Sequence, residues 1–400
     1  MRILFTGGGT GGHLYPALSL AKALCGAPAD PGLCRPTSNG GPARLPSGDD
    51  RHAADKPPVM LFVGTGSGAD VALLQHFEMP ARSVASASLT RLSPSAAARA
   101  LARNITGCLQ ALPIVARFAP DVVIATGGYA AFPTVAAAAL LNARNPLSRR
   151  SGRRIRIVLL EPNATPGLAN RVLGRFADEI WGAYEQARGP FAKRFVLTGT
   201  PVRPELYSLA PAPSARRALG LDGEKMTVLI FGGSQGARRL NAAVSAMVAR
   251  RRLPRDWQIL HLCGRRDYAW MLADRQTEGN DNRYLLLSYL DDMALAYAAA
   301  DVAVTRAGAS TVAELAVSGV PSILVPYPHA AENHQGKNAE LFVRRGASRI
   351  LPDAKLDADS LYWALTDTVV PEKLAPMAAA ARSLAHPRAL HDMVERLLAR

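Results

Sequence analysis

The chain has only four cysteines in 400 residues (Cys25, Cys34, Cys108 and Cys263). They show neither CxxC nor paired Cys/His spacing, so neither a zinc site nor a disulfide framework has support, and a reducing cytosol fits. Acidic residues fall short of basic ones, 32 against 47, and the net charge of +15 predicts long-range attraction to an anionic partner. That partner is a nucleic acid, an anionic membrane surface or a phosphorylated substrate. Aromatics make up only 6% of residues and are not interleaved with the arginines, which argues against a nucleic-acid binder. Long hydrophobic runs are missing too: the longest, residues 129–141, contains a proline and stops well short of the ~20 residues of a spanning helix. The N-terminus reaches glycines after six residues, too soon for the apolar region of a signal peptide. A soluble or peripheral protein is expected.

What is present is globular. Hydrophobic residues make up 48% and charged ones 20%, and 400 residues exceed the roughly 250–300 at which a single core stops growing, so two domains are expected. The run RILFT (2–6), a glycine turn and an Ala/Leu-rich helix over 15–24 recur in kind as TVLIF (227–231), GGSQGA (232–237) and a helix beginning near Arg239. Further strands are predicted at 59–63, 121–125, 155–160, 195–198, 258–262, 301–305 and 322–325. Buried β runs alternating with helices predict an α/β protein with two Rossmann-like halves, each a parallel sheet covered on both faces. The Gly/Pro break TGTPVRPEL (198–206) marks the boundary between them. Residues 26–58 hold seven prolines and five glycines and read as a flexible insertion without chemistry.

The loops after the strands carry the chemistry. GGGTGGH (7–13) contains GxGxxG, but the second strand ends without the acid that a dinucleotide site wants, and His13 stands where a Walker loop needs Lys. What remains is a turn whose amides and helix N-terminus favour phosphate. His13 begins that helix, where the dipole disfavours its protonated form. It serves there either as a general base or as a capping residue. TGGYAAFP (126–133) is a second glycine loop. In TRAGASTVAELAVSG (305–319), Glu314 is expected in the first turn of a helix, where it either accepts both hydroxyls of a ribose or merely suits the dipole. Asn333, Gln335 and Asn338 add polar amides near the end of the next strand.

Taken together, the motifs GGGTGGHLYPAL (7–18), PDVVIATGGYAAFP (120–133), EPNATPGLAN (161–170), GTPVRPEL (199–206), GGSQGARRLN (232–241), YLDDMALAYAAADVAVTRAGASTVAEL (289–315) and HQGKNA (334–339) closely resemble the MurG family of peripheral bacterial N-acetylglucosaminyltransferases. That family converts lipid I to lipid II in peptidoglycan synthesis. The resemblance implies a GT-B fold with the two sheets facing across an interdomain cleft: an acceptor and membrane-facing domain over 1–199, a UDP-GlcNAc domain over 200–382, and a C-terminal helix over 383–400 packing back on the first domain. It implies donor contacts at Thr10, Gly11, Gly12, Asn163, Arg203, Ser234, Leu290, the run Ala309, Ser310, Thr311, Val312, Ala313, Glu314, and Gln335. In that picture Leu290 meets the uracil, Glu314 the ribose and Ser234 the phosphate. The loop residues Gly127, Gly128 and Tyr129 fall on the acceptor side.

The resemblance further implies an inverting transfer of GlcNAc from UDP-GlcNAc to the 4-hydroxyl of MurNAc in lipid I at the cytoplasmic membrane face, a step of cell-wall growth and division. No metal or other cofactor is expected to be obligatory, because no DxD-like carboxylate cluster flanks the loops. The pair Asp291 and Asp292 reads as the acid start of a helix. His13 is the first choice for the base and Glu161 the second. Leu160 and Pro162 stand where the family usually has His and Gln. Alternatives are a transferase for another lipid acceptor, a UDP-sugar epimerase and a binding-only relative. For the membrane, an apolar stretch over 135–141 followed by a basic run that includes Arg149, Arg150, Arg153 and Arg154 predicts a docking face for anionic lipid.

Overall fold

The computed structural model describes residues 1–8, 11–25, 58–66, 68–88, 93–144, 154–233, 236–250, 253–278 and 283–399. The chain forms two compact units, Met1–Pro201 with Arg388–Arg400, and Val202–Pro387.

The first unit runs β1 (Arg2–Thr6), α1 (Gly11–Leu24), β2 (Val59–Gly64), α2 (Gly68–His76), β3 (Ala81–Ser83), α3 (Pro94–Phe118), β4 (Val122–Ala125), α4 (Phe132–Arg144), β5 (Arg156–Glu161), α5 (Leu168–Leu173), β6 (Glu179–Gly182) and β7 (Phe195–Leu197). Its seven strands are parallel in the order β3-β2-β1-β4-β5-β6-β7. Alternate strand residues serve opposite faces. Ile3, Phe5, Phe62, Ile124, Val158 and Leu160 pack with Leu14, Leu18 and Ala21 of α1, whereas Leu4, Val63, Val123, Ile157 and Leu159 pack with Val115 and Phe118 of α3 and Val135 of α4. With both faces covered, the strands must be apolar throughout, and they are.

The second unit runs α6 (Ala212–Ala218), β8 (Met226–Phe231), α7 (Arg238–Ala249), β9 (Trp257–Leu262), α8 (Tyr268–Glu278), β10 (Tyr284–Leu287), α9 (Met293–Ala299), β11 (Val302–Thr305), α10 (Ala309–Ser318), β12 (Ser322–Leu324), α11 (His334–Arg344), β13 (Ser348–Ile350), α12 (Ala358–Thr368) and α13 (Pro371–Ser383). Its six strands are parallel in the order β10-β9-β8-β11-β12-β13. Val228, Ile230, Ile259, Val302 and Val304 form one core with α7 and α12. The last helix, α14 (Ala389–Leu398), belongs to the first unit: Leu390, Met393 and Leu397 enter the core under α1. Its end is tied to β5, where Arg156 donates to the Arg396 carbonyl at 2.7 Å and Glu179 pairs with both Arg156 and Arg396.

Four strands escape the sequence reading: β3, β6, β10 and β13. Three of them are sheet edges, and β3 (ARS) and β13 (SRI) carry little apolar pattern because an edge needs less of it. The first helix starts at Gly11 rather than near residue 15, because glycines at its N-terminus hide the start. The expected insertion lies almost wholly outside the described residues.

Candidate functional site

In both sheets the strand order reverses beside the first strand of the unit, between β1 and β4 and between β8 and β11. Open α/β sheets bind ligands outside the carboxyl ends of strands at that point.

In the first unit, His13 lies in the first turn of α1 and its Nδ1 sits 2.9 Å from the carbonyl oxygen of Thr126, just past β4. A carbonyl oxygen only accepts, so Nδ1 carries the hydrogen, and in the neutral form of the ring the lone pair lies on Nε2. Gly127 and Gly128 run beside this ring with φ of +98° and +79°, and a Cβ on either would come within 3.3 Å of it. The loop therefore needs glycine for both its backbone conformation and its closeness to the imidazole. Tyr129 follows, and its carbonyl accepts from the Ser86 hydroxyl at 2.9 Å.

Beside this loop lies Asn170, whose Nδ2 would be 3.7 Å from a Cβ on Gly127. That amide donates to the Leu160 carbonyl and to Glu161 Oε2, both at 2.9 Å. Glu161 is buried at the end of β5, and its two oxygens accept four hydrogen bonds. Oε1 takes the backbone and side-chain N–H groups of Asn163, each at 3.1 Å, while Oε2 takes Asn170 and the Gly167 N–H at 3.2 Å. Burial pushes its carboxyl up to about 7 against the pull of those donors. Its observed partners lie in the loop that follows it and in α5, so the geometry describes an organiser of that turn. Leu160, where the family usually has His, points into the core shared with α1 and α14.

In the second unit, Glu314 sits in the second turn of α10, not the first as expected, because the helix starts only at Ala309. A carboxylate so placed gains little from the helix N-terminus, whose effect fades within one turn. Instead it is buried, its Oε2 accepting from the Tyr297 hydroxyl at 2.9 Å and its Oε1 lying 3.8 Å from Arg203 Nε. Burial raises its proton affinity, and Arg203 and Tyr297 oppose this. Arg203, which as a sequence position also suits a solvated hinge, is mostly buried in this pair. Ala309, Ser310 and Thr311 form the first turn of α10 after the N-cap Gly308, with Val312 and Ala313 buried behind them. Gln335 opens α11 and accepts from the Tyr327 N–H at 2.9 Å, while Asn338 reaches back from the same helix to the Ala307 carbonyl at 3.2 Å. Leu290 lies half-buried past β10, and Asp292 caps α9 by accepting from the Leu295 N–H.

A buried chain that the sequence reading did not single out supports the GGSQGA loop. A Cβ on Gly236 would meet the Cys263 carbonyl oxygen at 2.7 Å, so the loop rests on the turn after β9. Asn241 of α7 donates to that carbonyl and to Asp267, which leaves its Oδ1 to accept from His261 Nε2; His261 Nδ1 then accepts from the Tyr284 hydroxyl. Burial drives the His261 pKa down to about 3 and keeps it neutral. Arg306, at the end of β11, donates to the Val325 carbonyl and to Asp353 at 2.6 Å, joining the ends of three strands. Such pairs are far apart in sequence, and buried polar residues within the quoted motifs were the only signal for them.

Thr10, Ser234, Arg149, Arg150 and Arg153 lie outside the described residues, and for Gly11 only the backbone is described. Arg154 pairs with Asp178 at 2.5 Å. The expected apolar docking stretch needs correction: Val135, Ala137 and Ala138 are buried core residues of α4, since Ala/Val-rich helices of this fold pack inward on the sheet. Within that stretch Leu140 is 41% exposed, and a longer exposed apolar row lies on α3. Leu101, Ile105 and Leu109 are 54%, 54% and 65% exposed and lie one turn apart, beside the buried row Ala100, Asn104, Gly107 and Ala111. The helix has no acidic residue, and Arg99, Arg103 and Arg117 occupy its exposed side. Among the described residues no helix is long and apolar enough to cross a membrane.

Two parallel sheets with glycine turns at both reversal points, an imidazole held on one and a buried carboxylate on the other, define a two-domain α/β protein of the GT-B kind. The comparisons narrow this. Residues 53–181 match the glycosyltransferase family 28 N-terminal domain and residues 227–393 its C-terminal domain. The chain belongs to glycosyltransferase family 28.

Similar proteins include the UDP-N-acetylglucosamine--N-acetylmuramyl-(pentapeptide) pyrophosphoryl-undecaprenol N-acetylglucosamine transferases of Desulforamulus reducens, 34% identical over 99% of this chain and 97% of that one, and of Symbiobacterium thermophilum, 36% identical over 100% and 96%. The crystal structure of Acinetobacter baumannii MurG superposes with a TM-score of 0.69 at 25% identity, covering 100% of this chain and 99% of that one. Staphylococcus aureus MnaA with UDP gives 0.63 at 14% identity over 99% and 95%, a likeness of fold alone.

Proposed function

We propose that the protein transfers N-acetylglucosamine from UDP-N-acetylglucosamine to the 4-hydroxyl of the N-acetylmuramyl-pentapeptide carried on pyrophosphoryl-undecaprenol. The observation that carries this reading is the full-length similarity to transferases of that name, joined to an imidazole held at the reversal point of the first unit and a buried carboxylate held in the second. In the reaction the acceptor oxygen attacks the anomeric carbon, the bond to the UDP oxygen breaks with inversion, and the hydroxyl proton passes to a base. His13 Nε2 is that base, since Nδ1–H is committed to Thr126 and orients the ring. Glu161 acts by shaping the loop that carries Asn163.

In the second unit, Glu314 holds the ribose hydroxyls, Leu290 covers the uracil, Gln335 and Arg203 complete the nucleotide contacts, and the turn at 232–237 with the start of α10 receives the diphosphate. Positioning and fixed dipoles supply most of the acceleration. The lipid acceptor requires contact with a membrane. The row Leu101, Ile105 and Leu109, flanked by the arginines of α3, supports docking of this helix on the anionic cytoplasmic face.

The test is UDP release by the purified protein with and without a soluble short-chain analogue of the lipid acceptor, with the product weighed by mass spectrometry. Acceptor-dependent release with one added N-acetylhexosamine is expected. Release or isomerisation without acceptor would overturn the reading in favour of hydrolase or epimerase chemistry.

A further inference from the structure

Tyr297 is buried in α9, its ring edge-on to Phe231 at 6.0 Å. A phenylalanine would fill that space equally well, and a hydroxyl taken out of water costs free energy unless it is bonded. Its one observed partner is Glu314 Oε2 at 2.9 Å. Arg203, from the start of the unit's sequence, lies against Oε1 at 3.8 Å. Two elements thus hold the two oxygens of one carboxylate and fix the plane in which it lies. Each carboxylate oxygen has about two acceptor sites, so one site per oxygen remains open. Two adjacent acceptors in a fixed plane match the two neighbouring hydroxyls of a ribose.

We propose that Tyr297 is a positioning residue for nucleotide recognition, its hydroxyl orienting Glu314 so that the carboxylate accepts both ribose hydroxyls of the UDP moiety. The proposal rests on the assignment of Glu314 to the ribose. Burial of Glu314 fits it: a carboxyl whose proton affinity is raised by desolvation needs the hydroxyl and guanidinium to stay an acceptor. Free in its rotamers, the same side chain would have to be ordered by the ligand, at a cost in affinity.

The test compares binding of UDP and 2′,3′-dideoxy-UDP to the full chain, by calorimetry, for the wild type, Tyr297→Phe, Glu314→Ala and the double variant. For Tyr297→Phe the Kd for UDP is expected to rise about tenfold, while that for the dideoxy nucleotide stays within about twofold. The donor KM rises in parallel and kcat at saturating donor is retained. In the Glu314→Ala background, Tyr297→Phe has no further effect on UDP binding, because the hydroxyl then has no carboxylate to orient.

Equal weakening of both nucleotides by Tyr297→Phe overturns the proposal in favour of a packing role, as does an additive loss in the double variant or no loss at all. The Glu314→Ala protein separates the two levels of failure. If it keeps the wild-type preference for UDP over the dideoxy nucleotide, Glu314 does not meet the ribose and the assignment itself falls. If it loses that preference while Tyr297→Phe keeps it in full, the assignment stands and the proposal falls.

Discussion

The two units use one architecture to hold ionisable groups in opposite ways. In each, a parallel sheet reverses order beside its first strand and glycine turns line that point. In the first unit the buried carboxylate, Glu161, takes four hydrogen bonds from its own loop and the start of α5, while the imidazole of His13 is held through Nδ1 by the Thr126 carbonyl. In the second the imidazole, His261, is bonded at both nitrogens, and the carboxylate, Glu314, is held by only one hydroxyl and one guanidinium. A motif containing His or Glu thus says little about reactivity. What decides it is whether the fold has already used the group's lone pairs.

The largest effect should come from removing the imidazole assigned as the base. His13→Ala is expected to lower kcat about 10²- to 10⁴-fold with UDP affinity unchanged, as steady-state kinetics and calorimetry would read. Near-wild-type turnover across the pH range would break the contrast, since the imidazole would then be as structural as His261.

Glu161→Ala strands the donors of Asn163, Gly167 and Asn170 and should cost about 2–4 kcal/mol in denaturant unfolding. Its pH dependence sharpens the point. The folded carboxyl titrates near 7, above its ordinary 4.5, so the fold favours the protonated form. The stability linked to this group is full below pH 4.5 and is lost as pH rises through 7. The advantage of the wild type over Glu161→Gln is therefore expected to shrink across that window.

Met393→Ala, in the core where α14 joins the first unit, should cost about 2–4 kcal/mol without altering the affinity of the second unit for UDP. A matching loss of UDP affinity would show that the nucleotide groups depend on the first unit's core. The smallest effect on the fold is expected from Ile105→Glu with Leu109→Glu. Each exposed substitution changes stability by about 0.5 kcal/mol or less, yet together they should abolish co-sedimentation with anionic vesicles while turnover of a soluble acceptor persists. Retained vesicle binding would remove α3 from the docking surface.

Nine of the thirteen strands among the described residues were legible because a fully covered parallel strand must be apolar along its length, a local signal. Edge strands such as β3 and β13 are freed from that demand and escaped. The glycine turns were legible for the same local reason, and so was the Asp292 cap, three residues from its partner. The surface of α3 was not. Its apolar residues and those of α4 look alike in sequence, and only packing on the sheet turns one set inward and leaves a row of the other exposed.

By itself, then, the sequence determined the two β/α units, the turns at their ligand-binding ends and the family, because these depend on patterns within a few residues. The tertiary structure alone decided which nitrogen of His13 meets Thr126, which carboxylate is spent on its own loop and which is held by a hydroxyl and a guanidinium. The partners responsible lie 113 residues away for His13 and Thr126 and 17 for Tyr297 and Glu314. Hydrogen bonds across such separations form only once the sheets have brought distant loops together, and no local pattern encodes them.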